Sequence, residues 1–393
     1  MILFALALIG VVLLGYVNGA NDNFKGVATL YGSGTTSYRR ALLLATGTTF
    51  LGSLASLFIG RQLLVVFSGK GLIPDAVLQA GPFPVAISLG AAATVLLATR
   101  LGFPISTTHA LTGALVGAGL AVGDVNLPRL LSVFAIPLVA SPAVAALLSI
   151  GFYPAMRWVR NGLGLGEGSC VCVDEPRVTP LAVGAPSAVS STPPPPLAAA
   201  VALSGPVSGG LRLRVSTVGA CARSVSSLLR LDARTSVDWV HYLSASMVSF
   251  ARGLNDTPKI AGILLLFSAM GDLGTTSLLA IGVAMAVGGL LSARRVAERM
   301  SWKITDLNVG QGMAANVVTS FLVLGASRYG VPVSTTHVSC GALFGIGAVT
   351  GQARWTTVAS ILLAWVVTLP VAAATAATAA LVYRLALAAQ TTF

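Results

Sequence analysis

Uninterrupted apolar runs such as Ile2–Val17, Ala41–Ile59 and Trp355–Leu381 decide what this chain can fold into. Runs of this kind suit helices that cross a bilayer, because a helix satisfies its own backbone where water is absent. Of the 393 residues only 9% are Asp, Glu, Lys or Arg and 55% are hydrophobic, against about 25% charged in soluble domains. A soluble globule is excluded, and the expected fold is an all-α polytopic membrane protein. The net charge of +12 is spread singly or in pairs beside apolar segments, which fits membrane topology rather than nucleic acid. The four cysteines, Cys170, Cys172, Cys221 and Cys340, form no disulfide framework. The apolar N-terminus has no basic residue ahead of it and is expected to remain as the first span.

The long interruption falls at residues 156–237, which include Thr192-Pro193-Pro194-Pro195-Pro196 and read as a linker with one short amphipathic helix near Val215–Leu231. It separates two membrane repeats, 1–155 and 238–393. Asn18-Gly-Ala-Asn21-Asp22-Asn-Phe-Lys25 in the first is answered by Arg252-Gly-Leu-Asn255-Asp256-Thr-Pro-Lys259 in the second. Gly102-Phe-Pro104-Ile-Ser106-Thr107-Thr108-His109 is answered in the same order by Gly330-Val-Pro332-Val-Ser334-Thr335-Thr336-His337. The chain reads as an internal duplication. Gly34-Thr35-Thr36-Ser37 leads into Arg39-Arg40, whereas the matching Gly274-Thr275-Thr276-Ser277 follows Asp272 and has no base nearby. Equivalent loops are therefore expected on opposite sides, as inverted-topology repeats with broken or re-entrant helices and about 10–12 membrane segments. Placing Arg39-Arg40, Arg157, Arg160, Arg230, Arg234 and the Arg294-Arg295-Arg299-Lys303 cluster inside puts the linker in the cytoplasm and both termini outside.

Asp22 and Asp256 lie in apolar surroundings, where an ionised carboxylate needs a partner. Lys25 and Lys259, three positions on, can form local ion pairs with them. Alternatively, Asn21-Asp22 and Asn255-Asp256 on glycine-interrupted helices offer hard oxygens to Na⁺, or a titrating acid to H⁺. Gln311 is a further polar group that could join a cation site. The Pro-x-Ser-Thr-Thr-His elements look like helix starts, with Ser or Thr at the N-cap. Simple capping is one reading. The other is an oxyanion site at each helix N-terminus, gripping a tetrahedral anion between Ser106, Thr107 and Thr108 on one side and Ser334, Thr335 and Thr336 on the other. His109 and His337 are expected to pack behind the hydroxyls, and Glu298 and Asp306 to mark the membrane boundary.

Two carboxylates and a divalent oxyanion in one chamber amount to about four negative charges. Like charges repel by roughly 4 kcal/mol at 4 Å even at an effective dielectric of 20, so cations would have to enter with the anion. A protonated phosphate can donate to Asp22 and Asp256 whereas sulfate cannot, which favours phosphate.

The doubled Gly-x-Asn-Asp and Gly-x-Pro-x-Ser-Thr-Thr-His motifs, the two apolar halves and the linker resemble the inorganic phosphate transporter (PiT) family. The resemblance implies a plasma-membrane importer of inorganic phosphate, a symporter with Na⁺ favoured over H⁺, neither an enzyme nor dependent on a cofactor, and a homodimer. It implies phosphate contacts from Asp22, Ser106, Thr107, Thr108, Asp256, Ser334, Thr335 and Thr336, and cation ligands in Asn21, Asp22, Asn255 and Asp256. Asn23-Phe-Lys25 and Thr257-Pro258-Lys259 depart from the small residues of many members. A sulfate or metal-phosphate permease of the same fold and a phosphate-selective anion channel are the alternatives. An intramembrane hydrolase using Ser106 or Ser334 has little to support it, since a doubled nucleophile has no purpose in one active site.

Overall fold

A computed structural model describes residues 2–78, 83–123, 125–164, 166, 169–174, 212–217, 227–270 and 274–391. The Thr192–Pro196 run, Cys221 and Asp272 lie outside the described residues. The chain forms two compact units, one of residues 1–157 with 238–393 and one of residues 158–237.

The larger unit is helical. Its first half contains α1 (Ile2–Asp22), the short α2 (Ala28–Gly32), α3 (Tyr38–Ile59), α4 (Arg61–Val66), α5 (Asp75–Leu78), α6 (Phe83–Arg100) and α7 (Thr107–Val122). A short α8 (Leu127–Arg129) then passes through one π-helical stretch into α9 (Ile136–Gly162). Its second half begins in α10 (Ala233–Ala261), tightens to a 3₁₀ stretch, and continues as α11 (Gly274–Ser292), α12 (Arg294–Trp302), α13 (Val309–Arg328), α14 (Thr335–Thr350) and α15 (Trp355–Thr391). Among the described residues seven helical stretches are long and apolar enough to cross a membrane. The 16-residue α7 and α14 are about 24 Å long, short of the hydrocarbon core, and with the end of α1 and the polar α10 they carry most of the motif residues.

The smaller unit contains strands where the sequence reading expected none. Three strands, β1 (Ser169–Asp174), β2 (Arg212–Thr217) and β3 (Ser227–Asp232), form an antiparallel sheet in the order β2-β1-β3. Ser169 pairs with Thr217, and Cys170 with Ser216 on one side and Asp232 on the other. The ends of the helix expected near Val215–Leu231 are strand, and residues 218–226 between them lie outside the described residues. Arg-Leu-Arg-Val-Ser-Thr alternates with period two and has β-branched residues, a strand pattern that a helical reading of the charges overlooked.

The larger unit exposes apolar side chains and buries a polar cluster within its apolar core. Phe58, Val139, Leu291 and Phe321 are exposed, as lipid-facing side chains would be, whereas Asn18, Asn21, Asp22, Arg252, Asn255, Asp256 and Lys259 are buried. The halves interleave: α1 packs on α11, α3 on α11, and α15 on α6 and α7. The approach of α15 to α7 is backbone-close, because a Cβ at Gly113 or Gly117 would collide with the carbonyls of Leu369 and Ala373. Gly341 and Gly345 on α14 meet Pro142 and Ala146 of α9 in the same way. The duplicated sequence therefore has a duplicated packing scheme.

Candidate functional site

Each Gly-x-Pro-x-Ser-Thr-Thr-His segment ends one helix and starts the next by the same chemistry. Gly102 (φ +72°) and Gly330 (φ +68°) take the left-handed conformation that terminates α6 and α13. Phe103 N–H donates to Ala98 O (2.9 Å) and Gly102 N–H to Thr99 O (3.0 Å), with Val331 to Ala326 (2.9 Å) and Gly330 to Ser327 (3.3 Å) as counterparts. This is the Schellman pattern, which satisfies carbonyls left over at a helix end. Pro104 and Pro332 have no N–H to continue the helix. Ser106 and Ser334 then cap α7 and α14 from extended conformations, their Oγ atoms accepting from His109 N (3.0 Å) and His337 N (3.2 Å). Both serines therefore act as N-caps.

The threonines tie the halves together reciprocally. Thr336 Oγ1 donates to Ile105 O (2.8 Å), and Thr108 Oγ1 donates to Val333 O (3.4 Å). Lys25 Nζ donates to Ile105 O (2.8 Å) and Thr336 Oγ1 (2.5 Å), while Lys259 Nζ donates to Val333 O (2.5 Å) and Thr108 Oγ1 (2.9 Å). Exchanging the two halves reproduces this set of bonds. The two broken segments therefore meet face to face, and the His109 and His337 rings touch edge-on between them, centroids 4.3 Å apart.

The carboxylates belong to the same cluster. Asn18 Nδ2 lies 3.2 Å from Asp22 Oδ2 and 3.3 Å from Asp256 Oδ2, and it donates to Thr107 Oγ1 at 2.9 Å. Thr107 Oγ1 in turn is 3.3 Å from Asp22 Oδ2. Lys25 pairs with Asp22 Oδ1 at 2.5 Å and also reaches Asn21 Oδ1 at 3.0 Å. Asp256 Oδ1 accepts from Asn255 Nδ2 at 3.0 Å and faces Lys259 Nζ at 3.7 Å. Asn255 Oδ1 accepts from Ser327 Oγ (3.1 Å). Thr335 is buried at the start of α14.

Sequence reasoning missed Arg252. Its guanidinium is buried, donating to Asn18 Oδ1 (2.9 Å), Asn23 Oδ1 (3.0 Å) and Thr49 Oγ1 (3.3 Å), with Nε 3.8 Å from Asp256 Oδ2. The signal was available: Arg252 stands four residues before Asp256, on the same helical face, at the repeat position that Asn18 fills in the first half. Arg252 also overturns the expected charge balance. Lys25, Lys259 and Arg252 outnumber Asp22 and Asp256, so the cluster is net positive before any ion joins it.

His109 and His337 are buried. The His337 ring stacks on Trp365 at 3.9 Å with Nδ1 3.1 Å from Leu138 O, and Trp365 Nε1 donates to Pro104 O at 3.0 Å. Gln311 lies at the start of α13. Its Oε1 accepts from Asn308 N (2.8 Å) while its own N–H donates to Asn308 Oδ1 (2.9 Å), a capping box that starts α13. Glu298 pairs with Arg294 (3.1 Å) and Asp306 with Arg354 (2.7 Å), both pairs away from the buried cluster and open to the surface.

Comparison with known proteins gives a consistent answer. The chain is 28% identical over 404 residues to the inorganic phosphate transporter 2-1, chloroplastic, of Arabidopsis thaliana, covering 90% of this chain and 68% of that one. It is 28% identical over 371 residues to a probable low-affinity inorganic phosphate transporter of Rhizobium meliloti, covering 91% and 90%. In fold it is similar to a solved structure titled the sodium-dependent phosphate transporter, with a TM-score of 0.69 at 20% identity over 98% of this chain and 100% of that one. The phosphate transporter family profile matches residues 18–376, from the first asparagine of the site to the middle of α15, and the chain belongs to that family.

Proposed function

We propose that the chain is a secondary transporter that carries inorganic phosphate inward across the plasma membrane, holding it between the two Ser-Thr-Thr helix ends. The observation that supports this reading most directly is the reciprocal lock between α7 and α14, with Asp22 and Asp256 joined to it through Asn18. Two helix N-termini facing each other supply N–H groups and positive dipole ends to an anion. The donors that now serve the carboxylates, on Asn18, Thr107, Lys25, Lys259 and Arg252, are the ones a phosphate would recruit. Asp22 and Asp256 can accept its P–O–H protons, which sulfate lacks, and they tie anion entry to positive charge in the same chamber.

The proposed orientation has the linker in the cytoplasm and both termini outside. In its support, the Tyr31 ring meets Trp302 at a tilt, 4.5 Å between centroids, and Tyr38 edge-on at 5.7 Å, bringing Arg39-Arg40 and the Arg294–Lys303 cluster to one end of the unit. Radiolabelled phosphate uptake into proteoliposomes, with imposed Na⁺ or pH gradients and competed by sulfate and arsenate, tests the function. Concentrative uptake resisting sulfate is expected. Uptake that only follows the phosphate gradient would indicate the channel alternative instead.

A further inference from the structure

The Lys25 ammonium occupies a shell that a bare cation would favour. Four oxygens surround Nζ within 3.0 Å: Asn21 Oδ1, Asp22 Oδ1, Ile105 O and Thr336 Oγ1. An ammonium has only three protons to donate. An amide oxygen, a carboxylate, a backbone carbonyl and a hydroxyl are the hard ligands that suit an alkali or alkaline-earth ion. They come from three chain segments: α1, the break before α7 and the start of α14 in the other half. Lys259 repeats the arrangement more loosely, with Val333 O at 2.5 Å, Thr108 Oγ1 at 2.9 Å and Asp256 Oδ1 at 3.7 Å.

Sodium therefore does not fit these residues as they stand, because Asn21 and Asp22 already hold a cation. Lys25 is 3% exposed and Lys259 1%, and neither can withdraw to solvent without breaking the reciprocal lock. The charges agree with the geometry. Two ammonium groups balance Asp22 and Asp256, and Arg252 remains to balance a single anionic charge, as on dihydrogen phosphate.

We propose that Lys25 and Lys259 are tethered replacements for sodium ions, so that this chain carries phosphate without requiring sodium. The inference rests on the transport reading above and decides its coupling ion against sodium. Binding of ²²Na⁺ to detergent-purified protein, together with phosphate uptake in proteoliposomes at fixed pH gradient with Na⁺ or choline, tests it. The native chain should bind no sodium saturably, and its uptake should differ less than twofold between the two salts. Lys25→Ala and Lys259→Ala should each gain saturable ²²Na⁺ binding, lost again when Asp22→Asn or Asp256→Asn is added. Saturable sodium binding by the native chain, or native uptake stimulated tenfold or more by sodium, would overturn the proposal. That arm needs no variant, so a substitution that fails to fold leaves it decisive. The absence of phosphate uptake in every medium would defeat the transport reading, while the sodium-binding measurement would still judge the lysines.

Discussion

The two half-sites share a backbone plan and differ in how they hold charge. In the first, Lys25 and Asp22 form a tight pair at 2.5 Å, and the position four residues before the acid is the neutral Asn18. In the second, Asp256 is shared between Lys259 at 3.7 Å and Arg252 at 3.8 Å. A local pair is replaced by an acid with two partners, and the extra cation reaches across to donate to Asn18 of the first half. Duplication supplied a symmetrical cage, and one substitution within it, Asn18 against Arg252, made the cage positive.

The carboxylates give the largest expected effects. Removing one partner of a buried ion pair costs about 3–5 kcal/mol, because the remaining charge is left uncompensated. Asp256→Asn strands two cations and Asp22→Asn strands one, so Asp256→Asn should lower thermal stability in detergent further. Both should abolish phosphate uptake in proteoliposomes. A larger stability loss for Asp22→Asn would reverse the comparison and make the tight pair the keystone.

Arg252 comes next. Arg252→Asn makes the two half-sites alike and removes the net positive charge. The phosphate concentration for half-maximal uptake should rise about tenfold, a change of about 1.4 kcal/mol. The exchange Asn18→Arg with Arg252→Asn restores the charge from the opposite half, and should recover part of the affinity if charge count rather than position governs binding. The titration of uptake against phosphate separates these outcomes.

The serine caps should be equal. Ser106 and Ser334 cap their helices at nearly identical dihedrals, and Ser→Ala at an N-cap costs about 1 kcal/mol. Matching shifts in unfolding temperature are expected for Ser106→Ala and Ser334→Ala. Unequal shifts would show that one serine also does something besides capping.

What could be read from the residues alone follows the range of the forces involved. The apolar runs, the doubled motifs and the helix starts at Ser106 and Ser334 are local patterns, and they were legible. The meeting of Asp22 with Asp256 through Asn18 was anticipated only as a consequence of the duplication, since no local rule joins residues that far apart. Arg252 stood in the quoted motif but was passed over, because its partners Asn18, Asn23 and Thr49 belong to the other half. The strands at Arg212–Thr217 and Ser227–Asp232 were lost because the basic residues of this stretch suggested an amphipathic helix.

Gln311 gives the smallest effect and a sharp test of symmetry. The register that matches Ser106 with Ser334 and Arg100 with Arg328 also matches Gln311 with Phe83, which is buried and has no oxygen to offer. A cation role for Gln311 would therefore belong to one half-site alone. The structure uses Gln311 in the capping box of α13, so Gln311→Ala should cost about 1 kcal/mol of stability, within the range for a lost cap. Half-maximal phosphate uptake should stay where it is. If Gln311→Ala instead weakens phosphate uptake tenfold with little change in unfolding temperature, the two half-sites differ in their ligands as well as in their charge, and the comparison that begins with Arg252 would have to be redrawn around α13.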